Sequence, residues 1–261
     1  MSVKNLYFVL FISVFSGVLS AQNIKQDINE IRNQFKWVNS QKDFQKTYFE
    51  NDEFTDQIPS EGCQLDVFYK DTNIYKIIQM DAVSNAVFTT EYYMKNNKLI
   101  FVFRKEESFI FPVENDSITK LKTNYEERVY YKDKKIIRHL EKGFTLLNEN
   151  MDYQKQFEEY KPLIITKIKY EKQYNLFQGT WSNDEDNTDW FIITGLIKQQ
   201  YKEADPVANY RIWFDGRYLW FHNTENQEEG DSKYEILELN EKKLEMQDRL
   251  SGEVLFYSKG L

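Results

Sequence analysis

The last third of the chain limits its fold more than any other part. Eight short runs follow one another: NLFQGTW (175–181), WFIITG (190–195), LIKQQYK (196–202), YRIWFDG (210–216), RYLWFHN (217–223), KYEILELN (233–240), KKLEMQDR (242–249) and EVLFYSKG (253–260). Each has the length of a short strand. Turn signals separate many of them: Asp215-Gly216, Gly230-Asp231, Asn240-Glu241 and Ser251-Gly252. Eight candidate strands in the 88 residues of 174–261 predict a small barrel or sandwich. Closure into an up-and-down barrel removes exposed strand edges.

Upstream, the pattern is that of β-hairpins. VFYKDTNIYKII (67–78), EYYMKNNKLIFVF (91–103) and VYYKDKKIIRHL (129–140) each join an aromatic pair to an apolar run through a short Lys, Asp or Asn turn. With AVFTT (86–90) and SFIFPV (108–113) they predict an antiparallel sheet of about six strands or more. Before them, Ile28, Ile31, Phe35 and Val38 recur at helical spacing. The stripe predicts a helix from Asn23 to about Asn51, extended by Phe44 and Phe49 and packed on the sheet. Residues 149–173 read as a helical connector, with Pro162 opening its second piece.

The first residues have the layout of a secretory signal peptide: Lys4, an apolar run from Leu6 to Val14, then small residues up to Ala21. The apolar run is short for a membrane span. No Cys lies beside the cleavage point, which argues against a lipid anchor, and the ending LSAQN resembles that of exported proteins of Gram-negative bacteria. The expected division is a signal peptide (1–21), an α+β domain of helix and hairpins (22–148), the connector (149–173) and a β-barrel (174–261). The mature chain is expected to be periplasmic or secreted, with no further membrane span.

Two resemblances attach to these stretches. The hairpins at 91–102 and 128–140 resemble those of uncharacterised exported bacterial proteins with Tyr-rich hairpins, which implies no known activity. FQGTW (177–181) resembles the Gly-x-Trp opening of lipocalins, and YEILELNEKKLEMQD followed by VLFYSKG resembles the last strands of small bacterial lipocalin-like domains. The likeness covers 174–261 and implies a meander barrel, often with a central cavity. Lipocalins place an arginine late in the barrel against that tryptophan; the nearest candidates here are Arg249 and Lys259. The unit is short for a full lipocalin, so a small or side-chain-filled cavity is expected.

Most chemistries lack their signatures. With 34 basic and 42 acidic residues the net charge is −8, which argues against nucleic acid as a partner. His139 and His222 are the only histidines and lie far apart, so no zinc site is expected. The acidic stretch Asp184, Glu185, Asp186 and Asp189 fails the EF-hand registers and reads as a polar turn, with the mouth of a pocket or an irregular calcium site as the alternatives. No nucleophile elbow and no phosphate-cradling glycine loop is present. Cys63, the single cysteine, reads as a buried inert thiol.

The residues therefore point to a non-enzymatic binding protein without cofactor or metal, and no catalytic residue is assigned. Its expected partner is a small apolar or amphipathic ligand in the barrel, and Trp181, Trp190, Trp213 and Trp220 are the candidate ligand-binding residues. An envelope-associated interaction or structural module using the Tyr-rich sheet is the alternative. A hydrolase using dispersed carboxylates ranks last.

Overall fold

The structure is a computed structural model that describes residues 23–110, 120–146, 151–226 and 230–260. The signal-peptide reading lies outside these residues, as do the end of the SFIFPV run and the first two residues of the connector. The described chain is mainly β. Helix α1 (residues 23–40) is followed by strands β1 (Gln45–Glu50), β2 (Cys63–Lys70), β3 (Asn73–Val83), β4 (Ala86–Lys95), β5 (Lys98–Ile110), β6 (Lys120–Lys132) and β7 (Lys135–Gly143). These seven strands form one sheet in chain order. Then come α2 (Tyr153–Lys169), α3 (Glu171–Phe177) and strands β8 (Gly179–Asn183), β9 (Asp189–Thr194), β10 (Ile197–Lys202), β11 (Asp205–Phe214), β12 (Tyr218–Asn223), β13 (Ser232–Leu239), β14 (Lys243–Asp248) and β15 (Val254–Lys259). These last eight close into an antiparallel barrel in which each strand pairs with its chain neighbours and β15 returns to β8.

The three aromatic repeats are the β2–β3, β4–β5 and β6–β7 hairpins. Their turns take left-handed backbone: Asn96 and Asn97 at φ 53° and 55°, Asp133 and Lys134 at 47° and 65°. Positive φ at both central positions matches the strand twist of a two-residue hairpin. The Asn97 side chain also ties two turns together, accepting from Ile74 N at 2.7 Å and donating to Thr72 O at 3.2 Å.

By density of contacts the chain falls into two compact units that interleave in sequence. One takes Met1–Gln45, Phe68–Ile78 and Phe88–Gln154; the other takes Lys46–Val67, Gln79–Val87 and Lys155–Leu261. In the first unit α1 lays its stripe on the sheet: Ile28, Ile31 and Val38 are buried with Tyr93, Phe101 and Tyr130, and Phe35 meets the Tyr93 ring at 4.8 Å.

Two local expectations change. The first helix stops at residue 40 rather than near Asn51. The Ser40 hydroxyl and the Gln41 side-chain amide donate to the Trp37 carbonyl, one of the last of α1, and so satisfy a group that would otherwise demand another turn. Phe49 then sits in β1, where aromatic and β-branched neighbours favour extension. The connector's main helix is also one piece. It runs through Pro162, an interior position that costs about 3 kcal/mol. The buried stripe of Tyr153, Phe157, Tyr160 and Ile164 spans both sides of the proline and offsets that cost.

Candidate functional site

The barrel interior can be read from register. Directly paired residues share a face, and the pairs Trp181–Phe191, Ile193–Lys198, Lys198–Tyr210, Ile212–Phe221, Leu219–Tyr234, Ile236–Met246 and Leu244–Tyr257 mark the inner one. Trp181, Phe191, Ile212, Leu219 and Leu244 are fully buried there. Large side chains thus occupy much of the lumen.

The four candidate tryptophans do not form one wall. Trp181 points inward. Trp190, Trp213 and Trp220 lie on the opposite, outer face, because Phe191, Ile212, Phe214 and Phe221 beside them are the buried ones. Trp190 stacks on Tyr201, its cross-strand partner, with ring centroids 4.0 Å apart. Trp213 stacks on Trp220 at 5.6 Å and donates from Nε1 to Thr166 Oγ1 of α2 at 3.1 Å. Lys233 lies 4.4 Å over the Trp220 ring.

Trp181 belongs to the closure of one barrel end. Its Nε1 donates to Phe177 O at 2.7 Å, and the Lys259 ammonium sits 5.0 Å from its ring centre while donating to Leu176 O at 3.0 Å. Lys259, not Arg249, is therefore the late cation against this tryptophan; Arg249 pairs with Glu235 instead. Helix α3 caps the same end. Tyr174 hydroxyl accepts from Phe214 N at 2.8 Å, and the Gln178 amide bridges both backbone groups of Gly195. Glu53 completes the closure, its carboxylate accepting from Leu196 N at 2.6 Å.

One interior residue is out of place chemically. Lys198 is 7% exposed, and its Nζ lies 4.9, 4.9 and 4.3 Å from the centres of the Phe191, Tyr210 and Phe221 rings. Among the described residues it has no hydrogen-bond acceptor and no ion-pair partner. Burial pushes its ammonium down to about 7, and Asp189 opposes that shift. The ring faces favour the cation, while desolvation favours the neutral amine. The result is a basic group held near its titration point. Nothing local in LIKQQYK marks this lysine; only the barrel register turns its side chain inward.

The acidic stretch is the β8–β9 turn. Asn183 Oδ1 accepts from Glu185 N and Asp186 N. Asp186 accepts from Thr188 and pairs with Lys202 at 2.5 Å, which holds its carboxyl down at about 2. These oxygens are engaged in shaping the turn. Cys63 is buried, and burial raises its thiol to about 11, far from thiolate reactivity.

A buried charge network occupies the first unit. Arg104 contacts Glu106 at 2.5 Å, Glu106 also accepts from Thr145 Oγ1 and Leu146 N at 2.7 Å each, and Glu127 accepts from the Tyr153 hydroxyl. His139 Nε2 lies 2.7 Å from Glu127 and 3.1 Å from Glu141. Glu127, His139 and Glu141 offer donor atoms within 4.8 Å of one another. Pairing of Glu127 with Glu141 and of Val129 with His139 puts all of them on one face. Single-sequence spacing does not show this cluster, since the two strands' register sets it. Its geometry is that of a histidine bridging two carboxylates.

Comparison with protein-family models, with curated proteins and with solved structures finds no match for this chain.

Proposed function

We propose that the protein is an exported, non-enzymatic binding protein whose C-terminal barrel takes a small amphipathic molecule. Lys198 carries the reading. An amine buried among ring faces, with no acceptor among the described residues, is costly to desolvate, and native cores rarely retain such a group without a reason. A ligand with an acceptor head, such as a carboxylate or carbonyl, would give the amine its missing bond, with its apolar body among the surrounding rings. The likeness to lipocalin-like domains supports the same reading: the strands follow one another around the barrel, and Lys259 stands where a late cation is expected against Trp181. The buried carboxylates Glu106 and Glu127 are held by Arg104, Thr145, Tyr153 and His139, which favours structural pairing over hydrolysis.

Native mass spectrometry of the gently purified protein tests it. A bound mass that denaturation releases, and that Lys198→Met no longer retains, is the expected result. A wild-type protein that stays empty after exposure to lipid and metabolite extracts would remove the reading. The second reading, an envelope-associated interaction module using the Tyr-rich sheet, is disfavoured, since Tyr92, Tyr93, Tyr130 and Tyr131 of that sheet are buried. Among the described residues no helix is long and apolar enough to cross a membrane.

A further inference from the structure

We propose that the groove between α1 and strands β5 and β6 is a second binding site, for a small molecule with an apolar body and one anionic head. The groove encloses about 250 Å³. Ile31 and Phe35 line it from the helix, and Phe101, Phe103 and Tyr130 from the sheet. Phe101 pairs with Tyr130 and Phe103 with Arg128, so all four project from the same sheet face. The volume sits at the small end of ligand pockets, which run from about 300 Å³ upward. It suits a short acyl chain or a single ring system.

Charge identifies the head. The whole chain carries −8, yet every charged residue lining the groove is a cation: Arg32, Lys36 and Arg128. Arg32 and Lys36 lie one turn apart on α1, beside the apolar ridge of Ile31 and Phe35. Like charges at that spacing repel by about 0.2–0.5 kcal/mol. Among the described residues neither is committed to an ion pair. Arg128 contacts Glu126 at 3.0 Å while its guanidinium lies 5.1 Å over the Phe103 ring, so it faces the groove with part of its charge already balanced. A single anion at the rim would meet all three cations while its tail covers the ring faces. Cations that merely cover apolar surface with their stems would produce the same exposure without any preference for an anion, and the test separates the two.

Binding of decanoate to the full chain is measured by titration calorimetry at low ionic strength, with decan-1-ol as its uncharged match. Saturable decanoate binding is expected, with decan-1-ol weaker. The double variant Arg32→Glu, Lys36→Glu is expected to weaken decanoate by about tenfold or more, from loss and reversal of two partly screened attractions. Both residues are exposed, so circular dichroism should report an unchanged fold. The same reversal at the exposed hairpin residues Lys98 and Lys135 should leave binding unchanged, which excludes a general charge effect. Absence of saturable binding, equal affinity for decan-1-ol, or equal affinity in the double variant overturns the proposal. If Lys198→Met abolishes decanoate binding while the double variant keeps it, the ligand sits in the barrel. The groove proposal then fails and the barrel reading stands.

Discussion

Replacing Lys198 by methionine keeps the length of the four-atom stem and removes the amine, and its effect on stability should depend on pH in a defined way. In the unfolded chain the amine titrates at its ordinary 10.5; in the barrel burial brings it to about 7. The unfolded state therefore binds more protons between these values, and stability rises with pH across that window. Seen from the other side, stability is lost as pH falls from 10.5 towards 7, and the loss is complete below 7, where the folded amine is protonated too. At 1.36 kcal/mol for each pH unit the window is worth roughly 5 kcal/mol. The assay is urea unfolding followed by tryptophan fluorescence at intervals from pH 6.5 to 10.5. Taking the difference between wild type and Lys198→Met cancels the other titrating groups. Wild type should gain about 2–5 kcal/mol relative to the variant on going from pH 7 to 10. The variant should be the more stable protein at pH 7, since an unpaired buried amine is removed. A difference that stays constant within about 0.5 kcal/mol across the range would mean that the amine is solvated or fully charged in the fold, and the reasoning about the barrel interior would be refuted.

Other perturbations follow from the geometry. Gly195→Ala should destabilise by about 1–3 kcal/mol in thermal unfolding, because its φ is +60° and an added Cβ would stand 1.8 Å from Glu53 Oε1. Lys259→Met should cost about 1–2 kcal/mol and shift the fluorescence of Trp181, since a half-buried carbonyl loses its donor and the indole its cation; Arg249→Met should cost less than about 1 kcal/mol, as its pair with Glu235 is exposed. Asn97→Ala should cost about 1–2 kcal/mol in urea unfolding, through two lost hydrogen bonds and a left-handed backbone position.

Local chemistry made much of this fold legible. Asn96-Asn97 and Asp133-Lys134 between aromatic and apolar runs signal tight turns, and both turns are there. The eight C-terminal runs correspond to β8 to β15, except that Asn175 to Phe177 end a helix rather than begin a strand. Strand parity separates Trp213 from Ile212 and Phe214, and Trp220 from Leu219 and Phe221. It does not say which set faces inward, because both sets carry large apolar side chains; register and burial decide that. The end of α1 depends on side chains folding back onto the Trp37 carbonyl, which periodicity does not register. Lys198, the Lys259–Trp181 contact and the Arg32, Lys36 and Arg128 rim each join residues from separate strands or helices. No window along the chain contains them.

The interleaving of the two compact units bears on how the molecule is made. A ribosome releases a chain from its N-terminus, and proteins of contiguous domains use that order, completing one domain before the next emerges. Here the first unit can assemble once Gln154 has emerged, while Lys46–Val67 and Gln79–Val87, already synthesised, wait for Lys155 onward. Glu53 is the clearest case, since its acceptor role is filled only when Leu196 has been made. A gene fragment encoding 174–261 alone would yield a barrel lacking Glu53 and the first three residues of the capping helix α3, with the Leu196 amide left to water. The segment that finishes the barrel is thus translated long before the barrel exists.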